Sequence, residues 1–143
     1  MSQEIHHRED YRWFQPITTR WLDNDIYGHV NNVIYYSWFD TIANNFLITE
    51  GGIDIQGGDR IGYIVHSQCN YNSAIAYPES VEAGFRVNRL GNSSVEYGIG
   101  IFRQDIDDAA AWGTFTHVFV DRVSERPVAI DGKLKQALES VLV

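Results

Sequence analysis

The feature of this sequence that most constrains its fold is a long segment, residues 32–49, in which apolar residues recur at three- and four-residue steps. Gly51 and Gly52 follow it, and glycine commonly ends a helix. We therefore predict a helix from about Asn32 to Thr49. Its other flanks are apolar as well, and a helix that is apolar on nearly every side is normally enclosed. We expect a sheet to wrap around it or a second subunit to cover it.

Alternating apolar and polar residues elsewhere in the chain predict strands and one short final helix. Strands joined by short turns pair antiparallel, so the predicted fold class is α+β. A chain of 143 residues is long enough for one domain with one core, and we assign residues 1–143 to a single domain. The predicted strands cover about 15–21, 63–74, 81–88, 95–101 and 111–122, and the final helix about 131–142.

Composition excludes several classes of partner. The chain has 19 acidic and 11 basic residues, a formal charge of −8 and only two lysines. Binding to a phosphate backbone needs clustered lysine and arginine, so we expect no nucleic acid partner. No apolar run is long enough to cross a bilayer, and the first residues lack the pattern of a signal peptide. We therefore expect no membrane association and a cytoplasmic location.

Metal sites and disulfides are not predicted either. Cys69 is the single cysteine, which rules out an internal disulfide and a cysteine-based zinc site. A group formed by Asp23, Asp25 and His29 is the one alternative, and we do not favour it. The first ten residues are polar and charged, and we expect them to be weakly ordered. The other histidines show no metal-ligand spacing: His6 and His7 in that first segment, His66 and His117 in predicted strands.

The segment ahead of the helix, residues 20–32, combines two carboxylates, a glycine turn, a histidine and two asparagines. A carboxylate can act as a general base toward water or as a nucleophile, and an N–H at a helix start can stabilise an oxyanion. That order suits acyl transfer. The alternative is that Asp23 and Asp25 are turn carboxylates and that Asn31 or Asn32 is a helix cap. We expect Asp23 to be structural.

The element order and the motif from Asp23 to Tyr35, Asp-x-Asp-x-x-Gly-His-Val-Asn-Asn-x-x-Tyr, resemble the 4-hydroxybenzoyl-CoA thioesterase-like family of hotdog-fold acyl-CoA thioesterases. A weaker marker is Phe119–Arg122 followed by Arg126-Pro127. The resemblance implies an antiparallel sheet of about five strands around a central helix. It also implies hydrolysis of a small or medium acyl-CoA to the free acid and CoA, without a cofactor. In the family the second aspartate is catalytic, here Asp25, and the backbone N–H of Asn32 would hold the thioester oxygen.

The resemblance also implies residues that bind the substrate. His29 would hydrogen-bond Asp25 or the substrate, and the alternative is that it caps the turn. Relatives bind phosphates near the hairpin turn at Gly91, so Arg86 and Arg89 are candidates for the phosphates of coenzyme A; solvated strand arginines are the alternative. The predicted substrate-binding residues are Tyr27, Gly28, His29, Val33, Arg86 and Arg89.

Family members assemble as homodimers whose sheets join, often paired into homotetramers, with sites at the subunit interface. This chain departs from relatives in one place, because Asp40 is followed by Asn44 where an arginine is common. Two alternative functions remain open. One is hydrolysis of acyl groups on a carrier protein, which the acidic charge disfavours because carrier proteins are themselves acidic. The other is a non-catalytic acyl-binding hotdog subunit.

Overall fold

The computed structural model describes residues 4–143, in which a long helix lies against one face of a five-stranded antiparallel sheet. The sheet order is β1-β3-β4-β5-β2, with every neighbouring pair antiparallel. Short 3₁₀ turns cover Arg8–Asp10 and Trp21–Asp23. The elements are β1 Trp13–Thr18, α1 Asn32–Thr49, β2 Arg60–Tyr71, β3 Ser80–Leu90, β4 Ser94–Arg103, β5 Ala111–Asp121 and α2 Gly132–Ser140.

The core lies between α1 and the sheet, as the apolar pattern of residues 32–49 predicted. Phe39 and Ile42 of α1 are fully buried, as are Phe85 and Tyr97 of the facing strands. Burying side chains of this size contributes roughly 1.5–3 kcal/mol each. The close approach explains Gly113 of β5, because a Cβ there would lie 2.7 Å from the Phe39 ring and 2.0 Å from a backbone oxygen of β2. The expected packing of the helix against a sheet is confirmed, but the side of α1 away from the sheet stays exposed in the single chain, with Val33 at 64% and Ile48 at 42% exposure.

The strand order leaves β2 at one edge of the sheet. β2 has 12 residues, and most of its side chains are exposed, including Tyr63, Ile64 and Val65. A long, apolar edge strand with unpaired backbone groups is a surface that native proteins usually cover. Within the described residues nothing covers it. No helix in this part of the chain is long and apolar enough to span a bilayer.

The expectation of weak order at the N-terminus is wrong for residues 4–10, whereas residues 1–3 lie outside the described part of the chain. His6 is 5% exposed and stacks on Trp112 with ring centroids 3.9 Å apart. A hydrogen bond of 2.7 Å joins its Nδ1 to the Tyr11 hydroxyl. Tyr11 packs with Phe102 on the sheet face opposite α1. Aromatic contacts across that face therefore order a segment whose own composition is polar.

Some predicted bounds also differ. The helix over 32–49 is confirmed, but the strand expected at 15–21 is Trp13–Thr18, because hydrogen bonds to Asp23 bend the chain at Arg20. The strand expected at 63–74 is Arg60–Tyr71. It ends early because the next two backbone N–H groups both donate to the Ala110 carbonyl, which takes the chain out of the ladder.

Candidate active site

Asp23 holds the loop that leads into α1. Its side chain is fully buried and accepts the backbone N–H of Arg20 at 2.8 Å and the Arg20 guanidinium at 2.8 and 3.0 Å. Its carbonyl accepts the Asn31 N–H at 2.9 Å. With both ends of the loop bonded to it, Asp23 is a structural residue, as expected.

Asp25 lies in a tight turn that leaves one of its carboxylate oxygens available. Its carbonyl accepts the Gly28 N–H at 3.0 Å, and its N–H donates to the His29 carbonyl at 2.9 Å. Oδ1 accepts the Tyr27 N–H at 2.9 Å, whereas Oδ2 has no hydrogen-bond partner within residues 4–143. Gly28 has φ +82°, a left-handed conformation that glycine adopts without strain. The turn thus holds the half-buried Asp25 side chain by one oxygen only.

The helix begins with a well-formed cap. Asn31 has extended backbone angles, its Oδ1 accepts the Val33 N–H at 3.0 Å, and its carbonyl accepts the Ile34 N–H at 3.0 Å. Asn31, rather than Asn32, is therefore the cap. The Asn32 N–H has no acceptor in the part of the chain that the structure describes. Since aligned peptide dipoles place roughly half a positive charge at a helix start, this N–H is suited to an anionic oxygen.

A cleft of about 300 Å³ opens beside the helix start. The loop supplies one wall, α1 a second, and the end of β2 with the residues after it a third. The Tyr71 hydroxyl donates to the Asn32 carbonyl at 3.2 Å, which ties the third wall to the second. The lining residues are His29, Val30, Asn32, Tyr35, Tyr71, Asn72, Ser73 and Ala74.

The phenol and thiol groups around this cleft are poor bases. Burial raises the pKa of Tyr35 to about 12 and that of the neighbouring Cys69 thiol to about 11. Burial, with Cys69 beside it, also raises the pKa of Tyr71 well above its ordinary value. All three stay protonated at neutral pH, so the two phenols can donate hydrogen bonds but cannot take a proton. This leaves Asp25 and His29 as the ionisable groups of the loop with a possible role as base.

The structure brings only part of the predicted site into one cleft. His29 and Asn32 line it. Asp25, Tyr27 and Gly28 belong to the same loop but are not among its lining residues. Val33 is 64% exposed and is not a lining residue either. The cleft of a single chain therefore includes the helix start but not the Asp25 carboxylate.

The two predicted phosphate-binding arginines lie away from this cleft. β3 starts beside the loop, where the Tyr77 N–H donates to Asn24, and Arg86 and Arg89 lie roughly 20 and 30 Å further along the strand. Arg86 is on the sheet face opposite α1, where its guanidinium donates to Asn88 and to the Asp10 carbonyl. Arg89 is exposed and has no such contacts within residues 4–143. Neither arginine reaches the cleft of its own chain.

The cleft residues at or after the end of β2, which include three polar ones, were not predicted from the sequence. Tyr71, Asn72 and Ser73 fell within a predicted strand, and their polar run at its end was the available signal. Their proximity to the helix start depends on the pairing of β2 with β5, which is a contact between distant parts of the chain.

Comparison with known proteins identifies the family of this chain. The family model for the thioesterase superfamily matches residues 27–110, which is more than half of the chain. The chain belongs to the thioesterase superfamily. Its sheet and helix form the hotdog fold, as the solved structure of the PA5185 protein from Pseudomonas aeruginosa supports: the two are 54% identical over 97% of each chain, with a TM-score of 0.95.

More distant members share the fold. The PA2801 protein of Pseudomonas aeruginosa is 24% identical over 94% of this chain and 98% of its own, with a TM-score of 0.80. The DHNA-CoA thioesterase from Staphylococcus aureus is 20% identical over 89% of this chain and 86% of its own, with a TM-score of 0.74. No curated protein matches the sequence.

Proposed function

We propose that this superfamily member hydrolyses a small or medium acyl-CoA thioester to the free acid and CoA. The observation that carries the proposal is the Asn32 N–H, which has no acceptor within residues 4–143 and belongs to a residue that lines the cleft. An N–H in this position would stabilise the charge that develops on the thioester oxygen. Asp25, four residues before His29 in the same loop, supplies the second group that the chemistry requires.

The proposed role of Asp25 follows from its available oxygen. Oδ2 would take a proton from a water molecule as that water attacks the thioester carbon, or would attack the carbon itself to give a mixed anhydride that water then hydrolyses. In both routes the carbon–sulfur bond breaks and the thiolate leaves with the electron pair. Because a thiolate is a good leaving group, the step needs no strong general acid.

The same proposal includes a homodimer, further paired into a homotetramer. β2 exposes Tyr63, Ile64 and Val65 along an edge without a partner strand among the described residues. The loop exposes a second apolar surface, with Trp21 and Ile26 at 76% and 94% exposure. A second copy that pairs along β2 would cover the β2 edge and the exposed loop. It would also close the open side of each cleft and bring an Asp25 carboxylate to it. Size-exclusion chromatography with light scattering tests this part.

Two observations support coenzyme A as the carrier of the acyl group. The Staphylococcus aureus relative is a thioesterase for DHNA-CoA. The formal charge of −8 disfavours an acidic carrier protein as the acyl donor. Arg89 is the better candidate for a phosphate of coenzyme A because Arg86 already donates to Asn88 and Asp10. Given its distance along β3, Arg89 would act on a substrate in the site of a second copy.

The deciding experiment is thiol release from a panel of acyl-CoA thioesters, compared with acyl-carrier substrates, by wild type and Asp25→Asn. We expect the variant to fold normally and to lose about 100- to 10,000-fold in kcat. Asp59→Asn, at an exposed carboxylate outside the cleft, is the matched control and should retain full turnover. Unchanged turnover by Asp25→Asn would rule out the mechanism. A wild type that binds acyl-CoA but hydrolyses none of the panel would instead indicate a non-catalytic subunit.

A further inference from the structure

We propose that His7, Asp107 and Asp108 form a binding site for one divalent transition-metal ion of the Zn²⁺ class. The site joins the N-terminal segment, residues 4–12, to the turn between β4 and β5. It lies outside the candidate cleft and does not depend on the proposed hydrolysis. The sequence offered no sign of it, because His7 and the two aspartates are about 100 residues apart along the chain.

The distances among the three side chains suit a shared ion. His7 Nδ1 lies 3.2 Å from Asp107 Oδ2 and 3.1 Å from Asp108 Oδ1, and all three ligand atoms lie within 4.8 Å of one another. Nitrogen and oxygen ligands bind Zn²⁺ at about 2.0–2.2 Å. For bonds of about 2.1 Å, neighbouring ligand atoms lie about 3.0 Å apart at octahedral angles and about 3.4 Å apart at tetrahedral angles. The two separations from His7 Nδ1, 3.2 and 3.1 Å, fall between these values.

The His7 ring nitrogen faces two carboxylate oxygens without a well-formed hydrogen bond to either. Nδ1 is shielded from solvent, yet it makes no hydrogen bond of acceptable geometry with a described residue, although two carboxylate oxygens lie close to it. A hydrogen bond prefers an angle above about 150° at the hydrogen and weakens steeply below about 120°, whereas the ligands of one ion converge on a shared point. A cation between the two oxygens and the ring nitrogen would contact all three atoms at once.

The backbone sets the ligands in place. His7 and Asp108 form an antiparallel bridge, and the Ala109 N–H donates to the His6 carbonyl at 2.8 Å. Asp107 Oδ1 accepts the Arg8 N–H at 3.3 Å, which leaves Oδ2 directed toward His7. Ligands held by main-chain contacts bind an ion without a large ordering cost.

The donor set selects the class of ion. Mg²⁺ and Ca²⁺ prefer oxygen ligands alone, whereas one imidazole with two carboxylates suits Zn²⁺, Mn²⁺, Co²⁺ and similar ions. Two carboxylates also balance the charge of a divalent ion. The aspartate side chains are 67% and 64% exposed, so water can complete the coordination.

An ion at this position would act on more than the N-terminal segment. The Glu4 carbonyl accepts Asn72 Nδ2 at 3.3 Å and Trp112 Nε1 at 2.9 Å. Asn72 lines the cleft beside α1. The ion would therefore hold in place the segment that supports one wall of that cleft, which is a stabilising role and not a catalytic one.

The test is calorimetric titration of the untagged, metal-free protein with ZnCl₂, repeated with CoCl₂ so that visible absorption reports the ligand field. We expect one ion per chain, a Co²⁺ spectrum, and a Tm that rises with Zn²⁺ concentration. His7→Ala and Asp108→Asn should each weaken binding at least tenfold while retaining the metal-free Tm to within a few degrees. His66→Ala, at an exposed histidine of β2, is the control and should bind like wild type.

Two results would overturn the proposal. One is a wild type that binds neither Zn²⁺ nor Co²⁺ at micromolar concentrations. The other is binding that persists in His7→Ala or that falls equally in His66→Ala, because either would assign the ion to other groups. Since the Asp108 side chain is mostly solvent-exposed, Asp108→Asn keeps the test valid even if His7→Ala perturbs the fold.

Discussion

The Tyr71 hydroxyl at the end of β2 donates a hydrogen bond of 3.2 Å to the Asn32 carbonyl at the first residue of α1. This contact joins an edge strand to the helix start whose N–H we propose to be the oxyanion donor. It closes one side of the cleft. Because Tyr71 belongs to the edge strand, a second chain that pairs with β2 would also affect the position of Asn32.

Tyr71→Phe removes this hydrogen bond and retains the ring. We expect a loss of about 1 kcal/mol in the free energy of unfolding and about a fivefold fall in kcat, because the helix start is less firmly placed. Urea denaturation and thiol-release kinetics measure the two effects. Tyr63→Phe, in the same strand but with its hydroxyl on Glu125, is the control, and equal losses of kcat in both variants would contradict a positioning role for Tyr71.

Replacing Asp23 should lower stability, whereas replacing Asp25 should lower turnover. Asp23→Ala removes a fully buried carboxylate that accepts three hydrogen bonds from Arg20, so we expect a loss of about 2–3 kcal/mol in the free energy of unfolding. Asp25→Asn should change that free energy by less than about 1 kcal/mol and act on turnover instead. Urea midpoints for both variants provide the comparison. Equal destabilisation by the two would show that both residues are structural.

His117 should make stability depend on pH. Burial lowers the pKa of His117 to about 4, from an ordinary value of 6.5, and a 2.9 Å hydrogen bond joins its Nδ1 to the Tyr97 hydroxyl. Between these two values the unfolded chain binds more protons than the folded one, so stability is present above about pH 6.5 and falls as the pH drops toward 4. The loss across this window is about 3 kcal/mol.

Urea midpoints measured from pH 7.5 to 4.5 check this prediction, with His117→Gln as the variant. The variant should be less stable at pH 7 but show a shallower decline on acidification. Burial also lowers the pKa of His6, so a residual slope of the same sign is expected. An unchanged slope in His117→Gln would contradict the assignment.

Local patterns predicted much of this fold. The helix α1 extends from Asn32 to Thr49, as the sequence indicated, because a helix that packs on a sheet needs apolar residues at three- and four-residue steps. The alternating strands follow from the same kind of local rule. Local patterns did not predict the order of the N-terminal segment, because Tyr11 and His6 are ordered by contacts on the sheet face opposite α1.

The sequence by itself determined the long apolar helix, the antiparallel strands, and the loop in which Asp25 precedes a helix start, because each is specified by residues close together along the chain. Only the tertiary structure decided that Tyr71 and Asn72 complete the cleft, that Arg86 lies on the opposite face of the sheet, and that His7 meets Asp107 and Asp108. Those contacts depend on strand pairing and register, which are set by packing over the whole molecule. No local pattern in the sequence reports them.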